Sequence, residues 1–155
     1  RDIGVTGVQT CALPIYLGMR QMGRYDGAMT ETWTGKGKVR ARQSASGLDI
    51  RIDGLTTQAK YYKPLVHEFF RKEWRGSRPS WGEFEVEIGM DYVGEPPWMD
   101  LDNLAKALLD AIKGYAFHDD AQVARLLVER QAADREGIRI RVVRRGDLPT
   151  VPSLR

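Results

Sequence analysis

Apolar and polar positions change their period several times along the chain, and each change predicts an element. Leu48, Ile50 and Ile52 alternate with Asp49, Arg51 and Asp53, the mark of a strand with one buried face, and Gly54 ends it. From about 58 to 75 the apolar residues recur at near-helical spacing, with Tyr61, Leu65, Phe69 and Phe70 as the stripe. Pro64 fits poorly inside a helix because it has no N–H to donate. The helix is therefore expected to start at or just before it, leaving Tyr61 and Tyr62 outside. After a turn at 76–80, Phe84, Val86 and Ile88 alternate with glutamates in a second strand, and residues 94–97 close that region as a loop. Residues 101–113 make the clearest helix: Leu101, Leu104, Ala105, Leu108 and Ile112 share a face, and Gly114 supplies the stop. Two further strands are expected at 122–130 and 137–144, the last with Ile138, Ile140 and Val142 opposite Arg139 and Arg141.

These elements predict one small α/β (α+β) domain over residues 47–146, with a mixed sheet of about four strands and two main helices. Residues 16–46 are rich in Gly, Arg, Lys, Ser and Thr without sustained periodicity, and are expected to form a flexible basic arm. Residues 147–155 read as a tail. The stretch from Val5 to Ile15 looks like a translated sequencing-library adaptor, so residues 1–15 are set aside as non-native, and Cys11 with them.

Composition adds boundaries rather than a function. The 155 residues suit one domain, and 42 % apolar content is enough for a core. A net charge of +3 and a pI of about 9.1 tilt the surface towards anionic partners without naming one. One cysteine excludes a disulfide framework and a cysteine-based zinc site. No apolar run approaches the ~20 residues of a membrane span, and no signal peptide is evident. The expected compartment is the cytoplasm.

Chemistry concentrates in Asp100-Leu101-Asp102-Asn103-Leu104-Ala105-Lys106, with Asp110 after it and then His118-Asp119-Asp120. At about 100° per residue, Asp102, Lys106, Asp110 and Lys113 fall opposite the leucine stripe. One reading is a capped amphipathic helix, with Asp100 or Asp102 accepting the orphan N–H groups at its start. It leaves a second acid and a later acidic pair without a purpose, and crowded carboxylates repel unless a cation lies between them. The other reading is a cation site, in which Asp100, Asp102 and Asp120 supply hard oxygen ligands for Mg²⁺ and Lys106 stands beside them to hold a phosphate. Spacing alone leaves both open.

The block from Asp100 to Lys106, with Asp110 and Asp119-Asp120-Ala121-Gln122-Val123, closely resembles the signature of the RusA family of Holliday-junction resolvases. The order of strands and helices from roughly 48 to 145 is compatible with it. The resemblance implies a small homodimeric, Mg²⁺-dependent endodeoxyribonuclease that nicks four-way DNA junctions. It implies Asp100, Asp102 and Asp120 as metal-holding catalytic acids, Lys106 as the catalytic lysine, and supporting roles for Asn103 and Asp110. The chain departs from the family where arginines often precede the first motif aspartate: here stand Glu95-Pro96-Pro97-Trp98-Met99. DNA contacts are then expected from Arg139, Arg141, Arg144 and Arg145, with Lys60, Lys63, Arg71 and Lys72 on the first helix. Trp74, Trp81 and Trp98 are candidates for base stacking or for packing, and His118 for a ligand or a polar turn residue. A nuclease of flaps or other branched DNA, and a binding module without catalysis, remain as alternatives. Branched DNA is the common partner.

Overall fold

The computed structural model describes residues 32–76 and 78–147. Five strands form one sheet in the order β1-β2-β5-β3-β4: β1 (Val39–Ser44), β2 (Gly47–Asp53), β3 (Phe84–Tyr92), β4 (Val123–Ala132) and β5 (Gly137–Arg144). Only β3 and β4 run parallel; every other neighbouring pair is antiparallel. Parallel neighbours need a crossover, and helix α2 (Leu101–Ile112) supplies it. Helix α1 (Tyr62–Lys72) lies between β2 and β3 in the chain and packs against α2. The expected mixed sheet with two main helices is present, with one strand more.

That extra strand is β1, inside the segment read as a flexible arm up to residue 46. Residues 39–44 are a paired strand and not a flexible arm; residues 16–31 lie outside the described ones. Val39 and Ala41 are the only apolar residues of β1, and both are buried. Its charged positions are neutralised across the ladder, Arg40 by Asp53 at 2.9 Å and Arg42 by Asp49 at 3.1 Å. A stretch that looks solvated in isolation is thus a strand once its neighbour is beside it.

Period-two alternation gives the sheet two unlike faces. Ile50, Ile52, Val86, Ile88, Ile138 and Ile140 point to the side covered by the helices and form the core with Leu104, Leu108 and Phe117. The opposite face carries charged rows, in which the Arg139 guanidinium grips Asp91 through two hydrogen bonds of 2.8 and 2.9 Å.

Helix α1 differs in detail from its expectation. Its buried row is Tyr62, Val66, Phe69 and Phe70, one residue round from the predicted stripe, and Tyr62 opens the helix while Tyr61 stays exposed. Apolar residues at 61, 62, 65 and 66 permit either phase. Burial of Tyr62, whose hydroxyl accepts from the Thr56 N–H at 3.1 Å, decides between them. Pro64 is tolerated because it is the third helical residue, where the N–H would lack an intrahelical partner anyway.

Candidate active site

Two clefts meet at α2. The larger, of about 970 Å³, lies between the start of α1 and the polar side of α2, and is lined by Lys60, Lys63, Trp98, Asp100, Asn103 and Lys106 among others. The smaller, of about 420 Å³, lies between α2 and β4, where Leu101, Ala105, Leu109, Leu126 and Val128 flank Asp102. Lys106 and Asp120 line both. The four residues singled out by sequence are therefore gathered along one rim: Asp100 on one side, Asp102 on the other, and Lys106 and Asp120 shared.

Each position has a local cause. Asp100 is the N-cap residue of α2 by backbone conformation, yet its side chain makes no capping hydrogen bond, so the carboxylate is not occupied by the helix it precedes. Asp102 lies in the first turn of α2, and Lys106 one turn further along the same helix. Asp120 comes from a short 3₁₀ turn, Asp120–Gln122, that leads into β4. Asp119 caps that turn: its carboxylate accepts from the Ala121 N–H at 3.2 Å, while Gln122 reaches back to the Asp119 N–H at 2.9 Å. This reciprocal cap is a fixture of helix starts, and the Asp-x-x-Gln spacing that signals it was legible in the chain.

The acidic pair after the helix divides its labour. A hydrogen bond with the Asp120 side chain, the Ala121 N–H and the Lys113 charge hold the Asp119 carboxyl below the ordinary carboxylate range. Lys113 approaches it at 3.7 Å. Asp119 thus serves the turn, and Asp120 faces the clefts.

Ion pairing separates the candidate acids from the rest. Asp49, Asp53, Asp91, Asp110 and Asp119 all have a cationic partner within 4 Å. Asp100, Asp102 and Asp120 have none among the described residues, and neither has Lys106. Asp134, beyond the far end of β4, shares that position among the aspartates whose side chains are described. Asp110 faces the larger cleft but is tied to Lys63 of α1 at 2.8 Å, and that lysine's hydrogen bond and charge lower its pKa.

Carboxylate oxygens are the donors a hard divalent cation takes, so the chemistry of the set fits Mg²⁺. Its convergence is incomplete: among the described residues no three acidic or imidazole side chains are drawn together closely enough to hold an ion. His118 does not join them; its ring stacks on Trp81 and its backbone N–H donates to the Gln122 side-chain oxygen.

The arginines expected at DNA stand outside the two clefts. None of Arg139, Arg141, Arg144 and Arg145 lines either cleft. Arg139 pairs with Asp91, Arg141 with Asp49, and Arg145 with Glu83 and Glu85. Cations at the larger cleft come instead from Lys60 and Lys63, at the start of α1, and from Lys106. Trp98, 96 % exposed, stands at its edge. Among the described residues no helix is long and apolar enough to cross a membrane.

Residues 33–143 match the sequence profile of the family described as Endodeoxyribonuclease RusA, well over half of the chain. No curated protein matches the chain.

Proposed function

Since the chain belongs to the RusA family of endodeoxyribonucleases, we propose that it is a Mg²⁺-dependent nuclease that resolves four-way DNA junctions by paired nicking, in recombination and repair in the cytoplasm. The observation that carries this reading is that, among the described residues, Asp100, Asp102, Asp120 and Lys106 line the clefts without ion-pair partners, while most other aspartates are neutralised. Carboxylates that line adjoining clefts without a cationic partner are available to a divalent cation, whose charge would offset theirs.

Asp100, Asp102 and Asp120 would hold the ion. When bound, Mg²⁺ supplies Lewis-acid polarisation of a phosphate oxygen and makes water a better nucleophile. The chain's own groups do the rest. The Lys106 ammonium, on the rim common to both clefts, binds the scissile phosphate and stabilises the charge that grows on it. The Asn103 amide, on the same wall as Asp100, orients a phosphate oxygen or a water by hydrogen bonding. Lys60 and Lys63 draw the DNA backbone towards the cleft.

Paired nicking suits a two-fold dimer. Leu109 lies off the leucine stripe and lines the smaller cleft with Leu126 and Val128 of β4, which is an edge strand with Leu126 and Leu127 exposed. Long edge strands bearing exposed apolar residues are normally covered; a second copy of the chain would cover this one.

The deciding experiment incubates purified protein with four-way junction, flap and linear duplex DNA, with and without Mg²⁺. Symmetric nicks in the junction that require Mg²⁺ are expected. Preferential cutting of flaps would replace the substrate, and binding without cutting in Mg²⁺ would remove the enzymatic reading.

A further inference from the structure

Trp81 stands in the turn ahead of β3 and is 68 % exposed, although tryptophans are on average well buried. Its ring is nevertheless held. The His118 imidazole stacks on it with centroids 4.3 Å apart and planes inclined by 21°. With the imidazole against one face and most of the residue in water, the opposite face of the indole is open.

One side chain locks this pair to the active-site turn. The Gln122 amide donates to the carbonyls of Ser80 and Gly82, the residues on either side of Trp81, at 3.0 Å each. Its oxygen accepts from the N–H groups of His118 at 2.8 Å and Asp119 at 2.9 Å. The Ser80 backbone also bridges to Phe117, which is fully buried. Both halves of the stacked pair are thereby fixed relative to Asp120.

A cation adjoins them. Gly82 has φ +115°, and the Arg144 guanidinium lies where a side chain would be, with Nε 3.0 Å from the position of a Cβ. Arg144 is exposed. Of the four arginines expected at DNA it alone has no ion pair within the described residues, whereas Arg139, Arg141 and Arg145 each have one.

We propose that Trp81, backed by His118, and Arg144 form a subsite for one nucleotide of the strand being cut, its base on the open indole face and its phosphate on the guanidinium. The subsite rests on the nuclease reading above. His118 and Asp120 are two residues apart, so their Cα atoms are at most about 7.6 Å from each other. The platform therefore belongs to the same turn as Asp120, and the nucleotide it binds lies within a few steps of the phosphate there. Because the platform is locked before DNA arrives, little ordering cost opposes binding. Stacking on a π face tolerates every base, so the subsite positions the strand without reading its sequence.

The test uses a four-way junction carrying 2-aminopurine at single positions on either side of the cleavage site, in Ca²⁺, with wild type, Trp81→Ala, Trp81→Phe and Arg144→Gln. Wild type should quench the probe at one position. Trp81→Ala should abolish that quenching and weaken binding roughly tenfold, and Trp81→Phe should largely retain both. Arg144→Gln should reduce the slope of log affinity against log salt by about one. Melting temperatures should stay at the wild-type value, since both side chains are exposed. If wild type binds the junction and Trp81→Ala binds and quenches equally, the subsite is wrong and the nuclease reading stands. A large fall in the melting temperature of Trp81→Ala would make the tryptophan structural and overturn the subsite too. If wild type binds no branched DNA, the nuclease reading fails and the subsite falls with it.

Discussion

Asp102 and Lys106 stand one helical turn apart with opposite charges, and no salt bridge within 4 Å joins them. Substituting each should therefore give different results on DNA. Asp102→Asn removes a candidate cation ligand and also a negative charge that repels phosphate. It should abolish cleavage while binding stays equal or tightens. Lys106→Ala removes a stabilising cation and should slow cleavage on the order of a hundredfold, without tightening binding. A gel shift in Ca²⁺ beside a Mg²⁺ cleavage assay, at one fixed ionic strength, reads both steps. Wild-type cleavage by Asp102→Asn would remove that residue from the site. Asp110 belongs to a different class, since Lys63 already neutralises it.

At the scale of the element, α2 joins stability to chemistry, because the face that holds it down is opposite the face that lines the larger cleft. Leu108 is fully buried among Leu104, Ile112 and the sheet residues. Leu108→Ala should cost about 2–5 kcal/mol in urea unfolding, through lost burial and the cavity left behind. The Lys63–Asp110 pair ties α1 to α2 on the exposed side and responds to pH. Lys63 lowers the pKa of Asp110 from its ordinary 3.8. A depressed carboxylate pKa stabilises the fold above that value and ceases to do so as pH falls through the folded-state pKa. Lys63→Met should thus melt slightly below wild type at neutral pH, and the gap should close only on the acid side of 3.8. A gap that persists unchanged at pH 2 would show that the loss came from packing and not from the ion pair.

For the whole molecule, the exposed β4 edge and the groove beside it set the expected assembly. Leu109→Arg places a charge in that groove while leaving the buried stripe of α2 intact. Wild type should scatter light as a dimer at micromolar concentration and the variant as a monomer, with both folded by circular dichroism. A wild type that is monomeric with and without junction DNA would rule out the two-fold arrangement.

The sequence by itself determined the elements whose periodicity is internal to them. Strands β2, β3 and β5, the span and stop of α2 and the acid-lysine motif at its start could all be read from spacing, because each depends on residues a few positions apart. The tertiary structure decided what depends on distant partners. Strand β1 has only Val39 and Ala41 to bury, and becomes a strand because Asp49 and Asp53 of β2 neutralise its arginines. The phase of α1 follows from which tyrosine finds a buried place. Along the chain the aspartates and arginines look alike within their kinds. Only the fold assigns ion-pair partners to Asp110, Asp119, Arg139, Arg141 and Arg145 and, among the described residues, leaves Asp100, Asp102, Asp120 and Arg144 without an ion pair. Electrostatic pairing acts over a few ångströms in space, whatever the separation in sequence, so the availability of those charges is a property of the folded molecule alone.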